Sequence, residues 1–425
     1  MARAQETRSN RLVLKWSFAG LLFFPPSLHL LGFGTSYALG LTLFSATVLL
    51  FQAIFFRFAL SRVATVVIFA TTIALPLHLL IVSIAHPSLD ILWGRALLSL
   101  LVINLIIAVT DRLSRNAQYI SALAFDRIIR QLTYFLVILG FFSFITSDIA
   151  RNIFGLPSAI PPFSEPSHFT LALAPFAIYA FATKNRLITL LGLAFIPFMI
   201  IEVQSLVFVV LLVIVISIMI PLRLLPVIIM GSIVIYSESF IYIENILMRY
   251  DLEYYLNRLS FAYSDNLSVL VYQQGIDLIK YPFLGDHLLG FGFQQLGTSN
   301  LGLETTNRIR DILGGSDLNT RDGSFVIAKL FSEFGIFAVL IIVFLGIAII
   351  VSFSRIQKHY SSNYQLSPQI LFGYCCIYAY VIELMFRGIG YFSIGGVLFL
   401  YSIFLIGKEE RAQQSGAFQP LNNRA

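Results

Sequence analysis

Long apolar runs recur along the whole chain and constrain its fold more than any other feature. Each run is about 17–25 residues long, which is enough to cross a bilayer as an α-helix. A helix crosses with every backbone group paired inside its own segment. Because 58% of the residues are hydrophobic and only 12% are charged, we predict an all-α polytopic membrane protein.

Twelve membrane-spanning helices fit the apolar pattern. Glu202 and Gln204 interrupt the ambiguous region 187–220, and this favours two short spans over one long span. The first run has no cleavage pattern of small residues and contains Pro25 and Pro26 near its end, so it is expected to remain in the membrane. The predicted spans are 13–31, 37–56, 64–84, 92–110, 130–147, 168–183, 187–201, 205–220, 224–242, 325–351, 368–386 and 388–406.

Charged residues orient these spans through the positive-inside rule. With the N-terminus inside, most of the 28 Lys and Arg residues fall in cytoplasmic connections, and most of the 22 Asp and Glu residues fall on the outer side or near it. Both termini are therefore expected in the cytoplasm, and the chemistry is expected on the outer face. The net charge of +6 follows from this topology and does not indicate a nucleic-acid partner. Cys375 and Cys376 are adjacent in an apolar run, and no disulfide is expected.

One large outer loop interrupts the membrane helices between spans 9 and 10. Within it, residues 266–281 have a helical apolar period and are expected to lie along the membrane surface. Residues 285–297 are rich in glycine, which is a weak signal for phosphate binding and also fits flexible loop glycines. The predicted organisation is a membrane domain over 1–242, the outer loop over 243–323, a second membrane domain over 324–407 and a cytoplasmic tail over 408–425.

The stretch FSEPSHF (163–169) places charge between two apolar runs. Ser164 or Ser167 could cap the following helix, with Glu165 near its positive end. Alternatively, Glu165 and His168 form part of a functional site, since ionisable groups at a membrane boundary are costly and are candidates for function.

Five further charged residues, two pairs and Glu202, lie near the outer ends of the predicted spans. Glu383 and Arg387 are four residues apart, a spacing that places both on one helix face. Lys329 and Glu333 repeat this spacing and favour a structural ion pair. Glu202 fits the tip of a hairpin better than a functional site. Histidine and cysteine spacing predicts no metal site, and no cofactor is expected.

Arginines on the outer face together with carboxylates suit a lipid-linked phosphate substrate. Guanidinium groups pair bidentately with phosphate oxygens and can neutralise a pyrophosphate leaving group. A carboxylate or an imidazole can accept the proton of an attacking sugar hydroxyl. The predicted substrate-binding residues are Arg249, Arg258, Arg308, Arg310, Arg321 and Tyr391.

At these residues the chain resembles Wzy-type O-antigen polymerases, within the O-antigen polymerase and ligase superfamily of GT-C-like membrane glycosyltransferases. The resemblance rests on the overall layout and on four short segments. These segments are FSEPSHF (163–169), YPFLGDHLLGFGF (281–293), DGSFVIAKLFSEFGIFAVL (322–340) and FRGIGYF (386–392).

The resemblance implies a metal-independent glycosyltransferase of the bacterial inner membrane. Such enzymes join oligosaccharide repeats linked to undecaprenyl pyrophosphate at the periplasmic face, in the biosynthesis of lipopolysaccharide or a related surface polysaccharide. A chain-length regulator and a flippase are the implied protein partners. By position, Glu165, His168 and Arg387 are the implied catalytic residues, and Arg258 and Arg321 are implied in the large loop.

Two other functions remain open from the sequence. The related O-antigen ligases usually have a histidine before the E-x-G segment that follows the large loop, whereas this chain has Asp322 and Ser324 there, which favours a polymerase. Some polymerases have a pair of arginines with a ten-residue spacing to a glycine, and this chain lacks that pattern. A transporter of polysaccharide or lipid-linked sugar would fit twelve spans, but transporters usually have two similar halves, and no internal repeat is visible.

Overall fold

The structure is a computed structural model. It describes residues 2–34, 36–55, 59–154, 160–184, 186–220, 224, 266–284, 287–298, 301–316, 318–362 and 364–414. Within these ranges the side chains of 2–8, 144–154, 186–188 and 409–414 are not described. All but the first residue of the predicted span 224–242 lies outside the described residues, as do Arg249 and Arg258.

The described ranges form fifteen helices and no strand, apart from an isolated bridge between Ile160 and Phe163. The first eight helices are α1 (Ala2–Leu30), α2 (Ala38–Phe55), α3 (Arg62–Ala85), α4 (Trp93–Gln118), α5 (Ala122–Phe154), α6 (Pro166–Ala182), α7 (Arg186–Val203) and α8 (Leu206–Met219). The next seven are α9 (Leu267–Leu284), α10 (Glu304–Ile312), α11 (Val326–Phe334), α12 (Phe337–Ser361), α13 (Pro368–Ala379), α14 (Val381–Met385) and α15 (Ile394–Gln414).

Five helices of the described part are long and apolar enough to cross a membrane. They are α2, α3, α4, α12 and the stretch Pro368–Met385 that α13 and α14 form together. Shorter apolar helices of 10–17 residues are present in α7, α8 and α15. The predicted all-α class is therefore confirmed for the described residues, and the chain has the character of a membrane-embedded protein.

The predicted break within 187–220 is present. Gln204 adopts a positive φ of 49°, and it separates α7 from α8, which pack against each other. Glu202 is exposed in the last turn of α7, in agreement with a position near a hairpin tip.

Helix α6 occupies the centre of the bundle. Every residue from Ser167 to Ala182 is buried, and the helix packs against α5, α7, α8 and α13. A helix that is apolar on all sides is buried either among other helices or in lipid. Helix α6 has alanine, leucine and phenylalanine around its whole circumference and is buried among other helices. Its N-terminus therefore opens into the middle of one end of the bundle.

The prediction of one span over 325–351 is wrong. The chain turns at Gly335, whose φ of 53° and ψ of −127° end α11 before α12 begins. The Leu288 carbonyl oxygen would lie 2.0 Å from a Cβ at this glycine, so the backbone crosses here at a distance that only glycine permits. The short α11 is therefore separate from α12, and of the two only α12 has the length of a span.

Helix α9 confirms the predicted helix at 266–281, and its apolar face packs against α11 and α10. The glycine-rich region crosses the end of α11, where the Phe291 and Gly292 amides donate to the Ser332 and Glu333 carbonyls at 2.8 and 2.9 Å. At Gly290 the missing side chain permits this close backbone crossing with the end of α11.

A buried ion pair joins the C-terminal parts of α4 and α15. Asp111 Oδ1 lies 2.8 Å from Lys408 Nζ, and Asp111 is fully buried. The Ser61 hydroxyl and amide also donate to this carboxylate, at 2.6 and 2.9 Å. The predicted tail from residue 408 therefore begins inside α15.

Candidate functional site

A tight turn positions Glu165 at the N-terminus of α6. The Phe163 amide donates to the Ile160 carbonyl at 2.7 Å, and the bond in the reverse direction is 3.1 Å. Phe163 is fully buried against Phe169, with ring centroids 5.4 Å apart. Glu165 is the residue that precedes the helix, and Pro166 begins it. The turn and the buried phenylalanine thus fix the backbone at Glu165.

The serine caps predicted for this helix are not formed. The Ser167 hydroxyl donates to Glu165 Oε2 at 2.9 Å, and Ser164 Oγ lies 3.3 Å from His168 Nδ1. Both serines therefore orient the acidic and imidazole side chains and leave the helix amides without a side-chain cap.

Arg387 pairs with Glu165 across the end of the bundle. Its Nη2 lies 2.8 Å from Glu165 Oε2, so two of the three predicted catalytic residues are in direct contact. The prediction that Glu383 and Arg387 share a helix face is wrong, because α14 ends at Met385. Glu383 is buried instead and accepts a hydrogen bond from Ser393.

The chain that follows Arg387 is anchored to the residues just before α11. The Gly388 amide donates to the Ser324 carbonyl at 3.0 Å. A Cβ at Gly390 would lie 3.1 Å from Asp322 Oδ1. The segment 386–392 therefore connects the outer-loop helices with the end of α6.

His168, the third predicted catalytic residue, lies directly behind this pair. Its Nε2 is 4.0 Å from Glu165 Oε2, and its side chain is 7% exposed. The ring contacts Tyr37 and His29, with centroids 5.6 and 6.4 Å away. Sequence reasoning missed Tyr37 and His29, although both flank the first outer turn and the topology already placed them on the side of Glu165.

The electrostatics of the pair keep Glu165 ionised. Burial raises the pKa of the Glu165 carboxyl, but Arg387 and His168 lower it by more, and the pKa falls to about 2. The Glu165 side chain is 47% exposed, so solvent screens part of this attraction. A carboxylate with so low a pKa is a weak proton acceptor near neutral pH.

A second charged cluster lies under the outer loop. Lys329 Nζ is 3.3 Å from Glu333 Oε1, and both side chains are almost completely buried. The same ammonium donates to the Arg321 carbonyl and lies 5.2 Å from the centre of the Tyr391 ring. The predicted structural pairing of Lys329 with Glu333 is thus confirmed, and Tyr391 forms one wall of the cluster.

The other predicted binding arginines lie in the outer loop. Arg308 and Arg310 belong to α10, and the Arg321 side chain is exposed. Arg95 at the start of α4 was missed, although it donates to the Leu296 carbonyl of the glycine-rich region at 3.1 Å. The only feature of the sequence that could have indicated Arg95 was its position as a single arginine near the predicted outer end of a span.

No family model, curated protein or solved structure matches this chain.

The arrangement at the end of α6 can bind an anion beside a neutral base. Arginine has five N–H donors in a fixed plane, and the contact with Glu165 uses only one side of Arg387. The positive end of α6 adds to the local attraction for anions. Within the described ranges, no three His, Cys, Asp or Glu side chains lie close enough together to hold a metal ion.

Proposed function

We propose that this protein polymerises oligosaccharide repeats linked to undecaprenyl pyrophosphate, at the periplasmic face of a bacterial inner membrane. The growing chain is transferred from its lipid pyrophosphate to the new repeat, without a nucleotide sugar. The product is O-antigen or a related surface polysaccharide.

One observation supports this function above the others. Arg387 and Glu165 form a 2.8 Å ion pair at the N-terminus of the central helix, with His168 Nε2 4.0 Å from the same carboxylate oxygen. A fixed guanidinium at a positive helix end suits a pyrophosphate. A buried imidazole beside it suits proton transfer from a hydroxyl. Glycosyl transfer from a lipid pyrophosphate requires both groups.

The roles of the three residues follow from their surroundings. Arg387 binds the pyrophosphate, and Glu165 holds Arg387 in place until the pyrophosphate arrives. The low pKa of Glu165 makes it a poor base. His168 accepts the proton of the acceptor hydroxyl while the hydroxyl oxygen forms a bond to the anomeric carbon. The bond from that carbon to the pyrophosphate oxygen breaks, and its electron pair leaves with the lipid pyrophosphate.

The outer loop is proposed to hold the oligosaccharide. Arg308, Arg310 and Arg321 lie there. The packing of α9 on α11 and the bond from Gly388 to Ser324 bring this loop close to the segment 386–392, which contains Tyr391. Arginines and an aromatic ring provide the donors and the flat surface that sugars and phosphates bind.

Deletion of the gene in its host tests the function. Electrophoresis of the surface polysaccharide should show caps with a single repeat and no ladder. A full ladder would contradict both polymerase and ligase activity. Loss of all attached repeats, with long lipid-linked chains accumulating, would identify a ligase instead.

Complementation with site variants then tests the residues. Glu165→Ala and Arg387→Ala should each abolish the ladder while the amount of protein in the membrane stays normal. Glu202→Ala is the matched control, because it removes an exposed carboxylate from another helix end and should preserve the ladder. A normal ladder in either site variant would assign the ion pair a purely structural role.

A further inference from the structure

Two buried polar groups face each other behind the ion pair. Tyr37 is 3% exposed and His168 is 7% exposed, and their rings meet edge to face at 5.6 Å. Among the described residues, neither the Tyr37 hydroxyl nor His168 Nε2 has a hydrogen-bond partner. Buried polar atoms are nearly always paired, so two such atoms from α6 and from the residue that precedes α2 point to a ligand.

The chemistry of these atoms selects a hydroxyl group. A neutral imidazole whose Nδ1 is protonated accepts a hydrogen bond at Nε2, and the Ser164 hydroxyl 3.3 Å from Nδ1 can support this tautomer. A phenol can donate. A ligand hydroxyl can therefore donate to His168 and accept from Tyr37, whereas an ammonium group or a carboxylate would satisfy only one of them.

Glu165 is the carboxylate beside this imidazole. Its side chain is half-exposed, and its Oε2 lies 4.0 Å from His168 Nε2, which is too long for a hydrogen bond. The carboxylate is held at this distance by Arg387 and Ser167, at 2.8 and 2.9 Å.

We propose that Tyr37 and His168 form a hydroxyl-binding subsite, that the Glu165–Arg387 pair covers it, and that a pyrophosphate competing for Arg387 opens it. The ligand is a sugar hydroxyl of the acceptor, an assignment that rests on the proposed function. Opening only after the anion has bound keeps water away from the base until both substrates are present.

Chemical modification of His168 tests the cover without an activity assay. The purified full-length protein is treated with diethyl pyrocarbonate, and acylation of His168 is followed by mass spectrometry. Inorganic pyrophosphate should raise the acylation rate of His168 several-fold compared with sodium chloride of equal ionic strength. The substitutions Arg387→Gln and Glu165→Gln should each raise this rate in the absence of pyrophosphate. The rate at the partly exposed His86 should stay constant in every sample and reports that the fold is intact.

A His168 rate that stays constant or falls with pyrophosphate, in a protein whose His86 rate is normal, overturns the proposal. A slow His168 rate in both substituted proteins overturns it as well, since removal of the pair would then leave the imidazole covered. These outcomes would leave the deletion phenotype unaffected, whereas a surviving ladder would overturn the proposed function and the assignment of the ligand as a sugar hydroxyl, but not the cover over His168.

The Tyr37 hydroxyl is tested by Tyr37→Phe, which keeps the ring that packs on His168. Loss of one neutral hydrogen bond should raise the KM for the acceptor by about five- to tenfold and change kcat less. Tyr401→Phe is the matched control, because Tyr401 is equally buried but packs on Phe18 within the apolar core. Unchanged kinetics in Tyr37→Phe would overturn the subsite, as would an equal effect of Tyr401→Phe.

Discussion

Arg387 Nη2 lies 2.8 Å from Glu165 Oε2, although the two residues are 222 positions apart in the chain. The contact joins the N-terminus of the central helix to the turn that follows α14. Because the Glu165 backbone is fixed by a buried turn and the segment after Arg387 is bonded to Ser324, both partners are held in place before any ligand binds. This is the preorganisation that recognition of an anion requires.

Exchange of the two charges separates structure from function. The double variant Glu165→Arg with Arg387→Glu retains an ion pair. It should therefore restore protein levels relative to the single charge reversals Glu165→Arg and Arg387→Glu. It should not restore the polysaccharide ladder, because the cation no longer lies where the pyrophosphate binds. The control exchanges Asp126 and Arg130, an ion pair with a similar 2.8 Å distance at another site, and should preserve the ladder. A ladder from the exchanged site pair would contradict the proposed role of Arg387.

The pH dependence of stability should reveal the ionised state of Glu165. Its pKa in the folded protein, about 2, lies below its ordinary value of 4.5. The ionised carboxylate therefore contributes stability that is fully present above the ordinary pKa and is lost as the pH falls through the folded pKa. The difference in melting temperature between the wild type and Glu165→Gln should be constant above about pH 5 and should shrink below it. A difference that instead changes between neutral pH and about pH 5 would contradict the low pKa.

Removal of one member of the buried Lys329–Glu333 pair should be severely destabilising. Lys329→Met leaves the fully buried Glu333 carboxylate without a counter-charge, at a cost of about 3–5 kcal/mol. The double variant with Glu333→Leu should recover most of this loss. Melting in detergent measures both effects, and Lys358→Met, at an exposed position of α12, should be nearly neutral. Equal melting temperatures for the single and double variants would contradict this account.

Gly335 should not tolerate a side chain. Gly335→Ala places a Cβ against the Leu288 carbonyl oxygen in a left-handed conformation, and the backbone strain alone costs about 1–3 kcal/mol. Gly346 lies inside α12, where a Cβ meets nothing within 4 Å, so Gly346→Ala should be neutral or stabilising by up to about 1 kcal/mol. The two melting temperatures measure the contrast, and a stable Gly335→Ala protein would show that the crossing can relax.

Local patterns predicted the fold where the interactions are local. Apolar runs predicted most helices, and Gln204 in the middle of an apolar region predicted the break between α7 and α8. The four-residue spacing of Lys329 and Glu333 was reliable because both lie inside one intact helix. The same spacing was misleading for Glu383 and Arg387, because α14 ends between them and the pattern contains no marker of that end.

The site required information that spacing does not provide. Topology placed Glu165 and Arg387 on the same side, but their contact depends on how segments far apart in the chain pack together. The same is true of the contacts that His168 makes with Tyr37 and His29. The end of α11 could have been predicted at Gly335, since a glycine after a short amphipathic helix is a common stop signal. The continuous apolar character of 325–351 concealed it.

The pair between Asp111 and Lys408 has a consequence for biosynthesis. The two residues are separated by 297 positions, and Lys408 belongs to the last described helix. Ribosomes make α4 early, so until α15 has been translated and inserted the buried carboxylate has, among the described residues, only Arg115, 3.6 Å away on the same helix, as an ion-pair partner. A nascent chain that stops short of α15 lacks the closer of these two cations. Such truncated chains should be less stable and more accessible to quality-control proteases, and the pair thus links the stability of α4 to the synthesis of the last described helix.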